Sequence, residues 1–222
     1  MNQTLADRQK GIRKTVTIAL TIAAMFVGAL AYTLLHPPAM SIEELRNHGG
    51  YMFEKGRIMQ DFSLVDDQGE VFDNKRVEGK WSIVFFGFTH CPDICPTTLA
   101  QLSDFYRELP KDILQDTQII MVSADPDRDT PEILNSYVRY FHPEFVGVTG
   151  DFFAIHRFAT QLNTTFRKVA GETPDDYQVD HGANLALINP YGHFQGFIKP
   201  PFDGASLELN YSSMRTLFND MH

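Results

Sequence analysis

The sequence predicts an α/β domain carried behind one apolar N-terminal helix. Three observations point there. Short apolar runs of strand length alternate with segments of helical spacing, which implies a mainly parallel central sheet flanked by helices. Two strands around Asn189-Pro190-Tyr191-Gly192 add an antiparallel hairpin at one side of that sheet. Residues 15–35 hold no charge and no proline, enough for one bilayer crossing of about 20 residues.

The elements follow in order. Residues 1–14 form a basic head, with Arg8, Lys10, Arg13 and Lys14 against Asp7. Thr15 to Leu35 reads TVTIALTIAAMFVGALAYTLL, and His36-Pro37-Pro38 stops the helix. A cleaved signal peptide is the competing reading, with Ala29-Leu30-Ala31 as its cleavage site. Its apolar core usually runs about 7–15 residues, shorter than this one. The basic head is expected to stay in the cytoplasm, so the rest of the chain is translocated. The head is not an Arg/Ser-rich transit peptide. The expected location is therefore a bacterial inner membrane, single-pass, with the C-terminal domain in the periplasm.

Residues 36–60 read as a connector, and residues 61–222 as the folded domain. Within the connector, Ser41 and Glu44 have capping-box spacing, so Ser41 to His48 reads as a short helix ended by Gly49-Gly50. Phe62–Val65 and Val71-Phe72 are strands around the turn Asp66-Asp67-Gln68-Gly69. Trp81 to Phe88 (WSIVFFGF) and Gln118 to Ala124 (QIIMVSA) suit strands buried on both faces. Pro96 to Leu109 is a helix through Leu99, Leu102, Phe105 and Tyr106. Thr130-Pro131-Glu132 opens another, with proline in its first turn. Phe145–Val148 is a short strand and Phe152–Leu162 a helix. Asn184–Ile188 and His193–Ile198 form the hairpin, and Leu207–Met221 closes the chain as a helix.

Composition narrows the function. With 43% apolar residues and 18 Phe among 222, the chain can bury a core, which excludes overall disorder. The net charge is −9, divided into a +3 head and −12 over residues 36–222. Such an acidic domain lacks the basic face that nucleic acid requires. Two cysteines exclude a disulfide scaffold and any four-cysteine metal site.

Those two cysteines carry the chemistry. FFGFTHCPDICPTTL places Cys91 and Cys95 in a loop between a buried strand and a helix, where α/β proteins put their sites. The positive end of a helix dipole favours thiolate there. Pro96 is expected at the first helical position. A disulfide between the two is geometrically possible, but so small a loop constrains the unfolded chain little. Two thiolates on one loop make a soft metal site that needs a third ligand. Of eight histidines, His90 neighbours Cys91 but is expected to point away from it. His36, His48 and His222 lie in the connector or at the terminus. His142 and His156 have surface or core readings, and His193 lies just beyond the last turn. His181, in Val179-Asp180-His181-Gly182-Ala183, sits in a loop entering a strand and is the foremost candidate. On pattern alone a structural histidine remains the alternative there.

FFGFTHCPDICPTTL resembles the signature of the Sco/SenC family of copper chaperones. Ser123-Ala124-Asp125-Pro126-Asp127-Arg128-Asp129-Thr130-Pro131 is similar to its S-x-D-P-x-R-D-T-P segment, Val179-Asp180-His181 to its V-D-H, and Asn189-Pro190-Tyr191-Gly192 to its D-P-x-G turn. The resemblance covers roughly residues 60–220. It implies a thioredoxin-like fold with a central mixed sheet. It implies copper held by Cys91, Cys95 and His181, as Cu(I), Cu(II) or both. It implies a role in metallating the binuclear copper site of cytochrome c oxidase. The expected partners are the copper-bearing subunit of that oxidase, and another copper chaperone or a periplasmic thiol oxidoreductase. Asp125 and Asp180 are candidates for tuning the ligands from outside. Two positions depart from the family pattern: Gly182, where Thr or Ser is usual, and Asn189, where Asp is usual.

The alternative function is a membrane-anchored thiol–disulfide oxidoreductase in which Cys91 and Cys95 form the redox pair, acting on the target's cysteines or in redox or copper signalling. The C-x-x-x-C spacing differs from the C-x-x-C of thioredoxin. A peroxiredoxin reading fails because Phe88, not threonine, stands three before Cys91. A zinc module wants a fourth ligand that the sequence does not offer.

Overall fold

A computed structural model describes residues 5–35, 40–170 and 177–221. His36, Pro37, Pro38 and His222 lie outside the described residues. The chain divides into two compact units, residues 1–39 and 40–222.

The first unit is helix α1 (Leu5–Leu35). Its stretch Arg8–Thr33 is long and apolar enough to cross a membrane, and none of that window is buried by protein. The helix starts well before Thr15, because the basic head continues the same backbone hydrogen-bond ladder. The threonine hydroxyls fold back on the helix: Thr17 Oγ1 donates to the Arg13 carbonyl at 2.9 Å and Thr21 Oγ1 to the Thr17 carbonyl at 2.9 Å. That satisfies these hydroxyls within the helix, as a membrane-spanning segment would require.

The second unit opens with α2 (Ile42–Asn47). The capping box forms: Ser41 Oγ accepts from Glu44 N, and Glu44 Oε2 accepts from Ser41 N at 2.8 Å. Among the described residues ten strands follow, here in chain order with the helices between them. They are β1 (Gly50–Ile58), β2 (Ser63–Asp66), β3 (Val71–Asp73) and β4 (Trp81–Gly87). Then come α3 (Ile94–Glu108), α4 (Lys111–Leu114), β5 (Thr117–Ser123), α5 (Pro131–Phe141), β6 (Val146–Thr149) and α6 (Phe152–Gln161). Last are β7 (Phe166–Ala170), β8 (Tyr177–His181), β9 (Leu185–Ile188), β10 (His193–Ile198) and α7 (Gly204–Met221).

The main sheet has the order β1-β10-β9-β4-β5-β6-β2-β3. Among the described residues only the β4–β5 and β5–β6 pairings are parallel. The sheet is the mixed one that the resemblance implies, and the strand–helix alternation alone overstated its parallel share. Parallel strands need helical crossovers, and only α3 and α5 supply them between sheet neighbours. The connector over 36–60 is also corrected. Gly50–Ile58 is an edge strand paired with β10, its register broken between Met52 and Arg57. That irregularity, and an exposed far half, hid the strand's alternation. The sequence also missed β7 and β8, which form a separate two-stranded ribbon. Both are short, and β7 buries only Phe166.

Every residue of β4 is buried, as its unbroken apolar run requires. Strand alternation sends Trp81 and Phe85 to one face and Phe86 to the other. Trp81 packs edge-on to Tyr211 and Phe218 of α7, while Phe86 meets Phe158 of α6. Asn189 closes the β9–β10 turn by accepting from the backbone N–H of Tyr191 and His193 at 3.0 and 3.1 Å. Its amide donates to Gln195 Oε1 at 2.7 Å, which a carboxylate could not do. This accounts for Asn at a position where Asp is usual.

Gly196 of β10 sits where a Cβ would lie 2.0 Å from the Tyr51 carbonyl and 2.8 Å from Met214 Cε. Gly196→Ala should therefore force β1 away and destabilise the domain by about 1–3 kcal/mol or more. Gly204→Ala, which meets nothing within 4 Å, is the control and should be neutral. Denaturant unfolding of the two variants, followed by Trp81 fluorescence, checks this.

Candidate metal centre

Strand β4 ends at Gly87, and the chain turns through Phe88, Thr89, His90 and Cys91 before α3. Asp93 is the residue before the helix, so Ile94, Cys95 and Pro96 are its first three residues. Pro96 thus occupies the third helical position, not the first. Proline is tolerated there because N–H groups of the whole first turn lack intrahelical acceptors. One of those donors finds a sulfur: the Cys95 N–H lies 3.4 Å from Cys91 Sγ. Both thiols are free, Cys95 fully buried and Cys91 partly exposed. Burial pushes the Cys95 thiol well above its usual range, and its hydrogen bond with Cys91 adds to the rise.

Gly87 makes the close approach possible. A Cβ there would stand 2.7 Å from the Phe85 ring and 3.0 Å from Cys95 Sγ. Any side chain at this position would push the sulfur off the strand end.

His181 arrives from elsewhere, as the last residue of β8. It lies at a strand end, not in the loop that the sequence suggested. Its Nε2 is 3.7 Å from Cys95 Sγ. Its Nδ1 is 3.2 Å from the Gly182 carbonyl. A carbonyl only accepts, so Nδ1 carries the proton and Nε2 turns its lone pair toward the sulfur. Phe85 and Phe88 stand edge-on to the imidazole at 6.1 and 6.0 Å. Burial lowers the His181 pKa below its usual 6.5, against smaller opposing effects of the Gly182 carbonyl and Asp180. Gly182 itself is crowded: a Cβ would meet Thr164 Cγ2 at 3.3 Å. Glycine in place of the usual Thr or Ser fits that neighbour.

Cys91 Sγ, Cys95 Sγ and one ring nitrogen of His181 lie within 4.8 Å of one another. Two ligands on one ion, at roughly 2.0–2.3 Å each, must lie within about 4.6 Å, so this trio is already close to a coordination set. Two sulfurs and an imidazole are soft donors, and among the described residues no fourth His, Cys, Asp or Glu joins them. Three other described histidines are occupied elsewhere. His48 bonds the Glu44 carbonyl, His142 packs between Tyr106 and Phe145, and His156 lies against Phe152 and Phe166.

Asp125 and Asp180, the candidates for tuning the ligands from outside, make no hydrogen bond to Cys91, Cys95 or His181 among the described residues, although the Asp180 charge opposes the lowering of the His181 pKa. The Asp180 carboxylate faces outward and pairs with Arg167 at 3.2 Å. Asp125 is fully buried and accepts from Tyr177 Oη at 2.7 Å. It also forms an ion pair with Arg128. The Arg128 guanidinium lies 3.9 Å from the Tyr177 ring centre, and Lys168 Nζ 4.6 Å from it. Tyr177 is the first residue of β8, so Asp125 acts by anchoring the strand that ends in His181.

A residue that the sequence did not single out does the same for the cysteine loop. Asp129 is fully buried. It accepts from Thr89 Oγ1 at 2.5 Å, Thr89 N at 3.2 Å and Ser123 Oγ at 2.6 Å. Its signals were its place in the R-D-T-P part of the segment that resembles the family and its position just before the helix-opening Thr130-Pro131, where an acidic residue reads as ordinary helix-start chemistry.

The SCO1/SenC family model matches residues 52–210. A protein of Stutzerimonas stutzeri named for copper binding is 36% identical over 181 residues, covering 80% of this chain and 87% of that protein. The copper-bound structure of Arabidopsis thaliana ScoI is 35% identical, with a TM-score of 0.64, and covers 71% of this chain and 98% of that one. Copper-bound ScoI of Bradyrhizobium japonicum is 32% identical, with a TM-score of 0.63 and coverage of 72% and 99%. The mixed α/β arrangement described above is the thioredoxin-like fold of these Sco structures. Matched by the family model over most of its length, and more than 30% identical to relatives that it nearly spans, this chain belongs to the SCO1/SenC family.

Proposed function

We propose that this chain is a membrane-anchored copper chaperone that holds copper on Cys91, Cys95 and His181 and helps to metallate the binuclear copper site of cytochrome c oxidase. The carrying observation is the convergence of three soft donors within 4.8 Å from two distant parts of the chain. Two- or three-coordinate Cu(I) suits such a set, and the thiolates are the donors that select it. The copper-bound ScoI relatives support the choice of ion. The apolar helix α1 would hold the domain at a bacterial inner membrane, with the basic head in the cytoplasm and the copper domain in the periplasm. The acceptor is then the copper-bearing subunit of the oxidase, and the donor another copper chaperone.

The adjacency of the two sulfurs favours a second reading, a thiol–disulfide oxidoreductase serving the acceptor's own cysteines. In that role the partly exposed Cys91 attacks and the buried Cys95 resolves, since burial disfavours the Cys95 thiolate.

In the detergent-solubilised full chain, His181→Ala should weaken Cu(I) binding by about two orders of magnitude, or about 2.7 kcal/mol, in competition with a chromophoric chelator. Equal affinity would remove His181 from the site. In a deletion strain, oxidase activity and copper content should be restored by the wild type and not by Cys91→Ser.

Binding should strengthen with pH, because the ion must displace the Cys95 proton. The Cys95 pKa is raised by burial, so this dependence extends through the neutral range. Cys95→Ser should lower the slope of log affinity against pH by about one. His181, with its pKa lowered by burial, should add less to the proton count than a free imidazole would.

Tyr177→Phe removes the hydroxyl that Asp125 holds and leaves all three ligands in place. Copper affinity should fall about tenfold by loss of positioning, and loss of the hydrogen bond to a buried carboxylate should cost the domain about 1–3 kcal/mol. Unchanged affinity would show that the anchor of β8 does not matter to the site.

A further inference from the structure

The copper site leaves one side chain of the motif unused. His90 is exposed and stands one residue, about 3.8 Å between Cα atoms, from Cys91. It is not one of the three converging donors. Its hydrogen bonding is nevertheless specific. His90 Nδ1 lies 3.1 Å from Thr89 Oγ1, and Thr89 Oγ1 donates to Asp129 Oδ1 at 2.5 Å. A threonine hydroxyl has one proton, and here the buried carboxylate takes it. Thr89 Oγ1 can then only accept from the ring, so the neutral imidazole carries its proton on Nδ1. The lone pair is left on Nε2, at the surface.

Access to the site makes that lone pair useful. Cys95 is fully buried, and His181 Nε2 points at it from between Phe85 and Phe88. Cys91 and His181 are both partly exposed, and Cys91 lies on a lip in which His90, Pro92, Asp93 and Ile94 are all exposed. An ion held by a partner can reach the thiols across this lip. Cu(I) passes between proteins by exchanging one ligand at a time, so an extra donor beside Cys91 lowers the barrier of the first exchange.

Resting on the copper reading above, we propose that His90 Nε2 is a loading ligand: it takes copper from a thiolate-bearing partner, hands it to Cys91, and reverses the order on delivery. A Cu–S bond to the partner breaks as the Cu–Nε2 bond forms. The Cu–Nε2 bond then breaks as Cys91 Sγ binds, and the last Cu–S bond to the partner breaks as Cys95 and His181 complete the set. Copper stays Cu(I) throughout and no electron moves. The imidazole binds and leaves through its Nε2 lone pair without gaining or losing a proton. Cys91 and Cys95 each release a thiol proton to solvent as they bind, and each departing partner thiolate takes one up.

The test is stopped-flow kinetics on the detergent-solubilised full chain. Cu(I)–glutathione supplies the ion and bicinchoninate withdraws it. His90→Ala should slow loading and withdrawal by a common factor of about ten, because the exchange barrier rises without the Cu–Nε2 bond. The equilibrium affinity should stay within about twofold, because His90 has left the metal in the loaded state. Thr89→Ala keeps His90 but releases its tautomer, and should reduce both rates by a smaller factor. Thermal melting confirms that the variants fold. Unchanged rates in His90→Ala would overturn the proposal, as would weakened affinity with an unchanged loading rate. A wild-type chain that takes up no Cu(I) would instead overturn the copper reading itself.

Discussion

Two buried carboxylates on one loop hold the metal centre together. Asp125 and Asp129 follow β5, four residues apart and both fully buried. Asp129 grips the backbone and hydroxyl of Thr89, and so fixes the loop that bears Cys91. Asp125 grips Tyr177, and so fixes the ribbon that bears His181. Buried carboxylates persist only when hydrogen-bonded or paired, and removing such a partner typically costs about 3–5 kcal/mol. One segment therefore ties two distant ligand-bearing pieces to the same sheet edge, and the ligands meet without contacting either carboxylate.

The sheet supplies the fixed reference for that arrangement. Strand β4 is buried along its whole length between helices on both faces, so its exit point does not drift. Gly87 at that exit leaves room for Phe85 and Cys95 to meet. Phe85 in turn stands against the His181 ring. A single strand end thus sets one sulfur and one imidazole, and α3 sets the second sulfur through its first-turn N–H.

The three ligands are unequal, and the inequality suits transfer. Cys95 is fully buried and His181 half-buried against aromatic rings, where burial disfavours thiolate on the one and imidazolium on the other. Cys91 sits at the rim. An ion bound by all three is shielded, yet it can be approached from the Cys91 side. That asymmetry is what a carrier needs, since a fully buried set would hold the ion too well and an exposed one would lose it.

The sequence by itself determined the layers and the cysteine half of the site. The unbroken run of β4, the helical spacing of α3 and the Thr130-Pro131 start of α5 report burial and backbone geometry, which are local properties. Cys91 and Cys95 were identifiable for the same reason, since strand, loop and helix are consecutive. His181 needed the family resemblance, because 86 residues separate it from Cys95 and its pattern alone also fits a structural histidine. Only the tertiary structure decided the rest. Strand β1 gains its identity from β10, far along the chain, and its broken register shows no period in sequence. The β7–β8 ribbon is too short and too exposed to be periodic. Asp129 looked like an ordinary helix-start acid, and Asp180 looked like a ligand's neighbour. The direction of a buried carboxylate depends on which strands pack beside it, and strand pairing is a non-local choice that spacing along the chain does not encode.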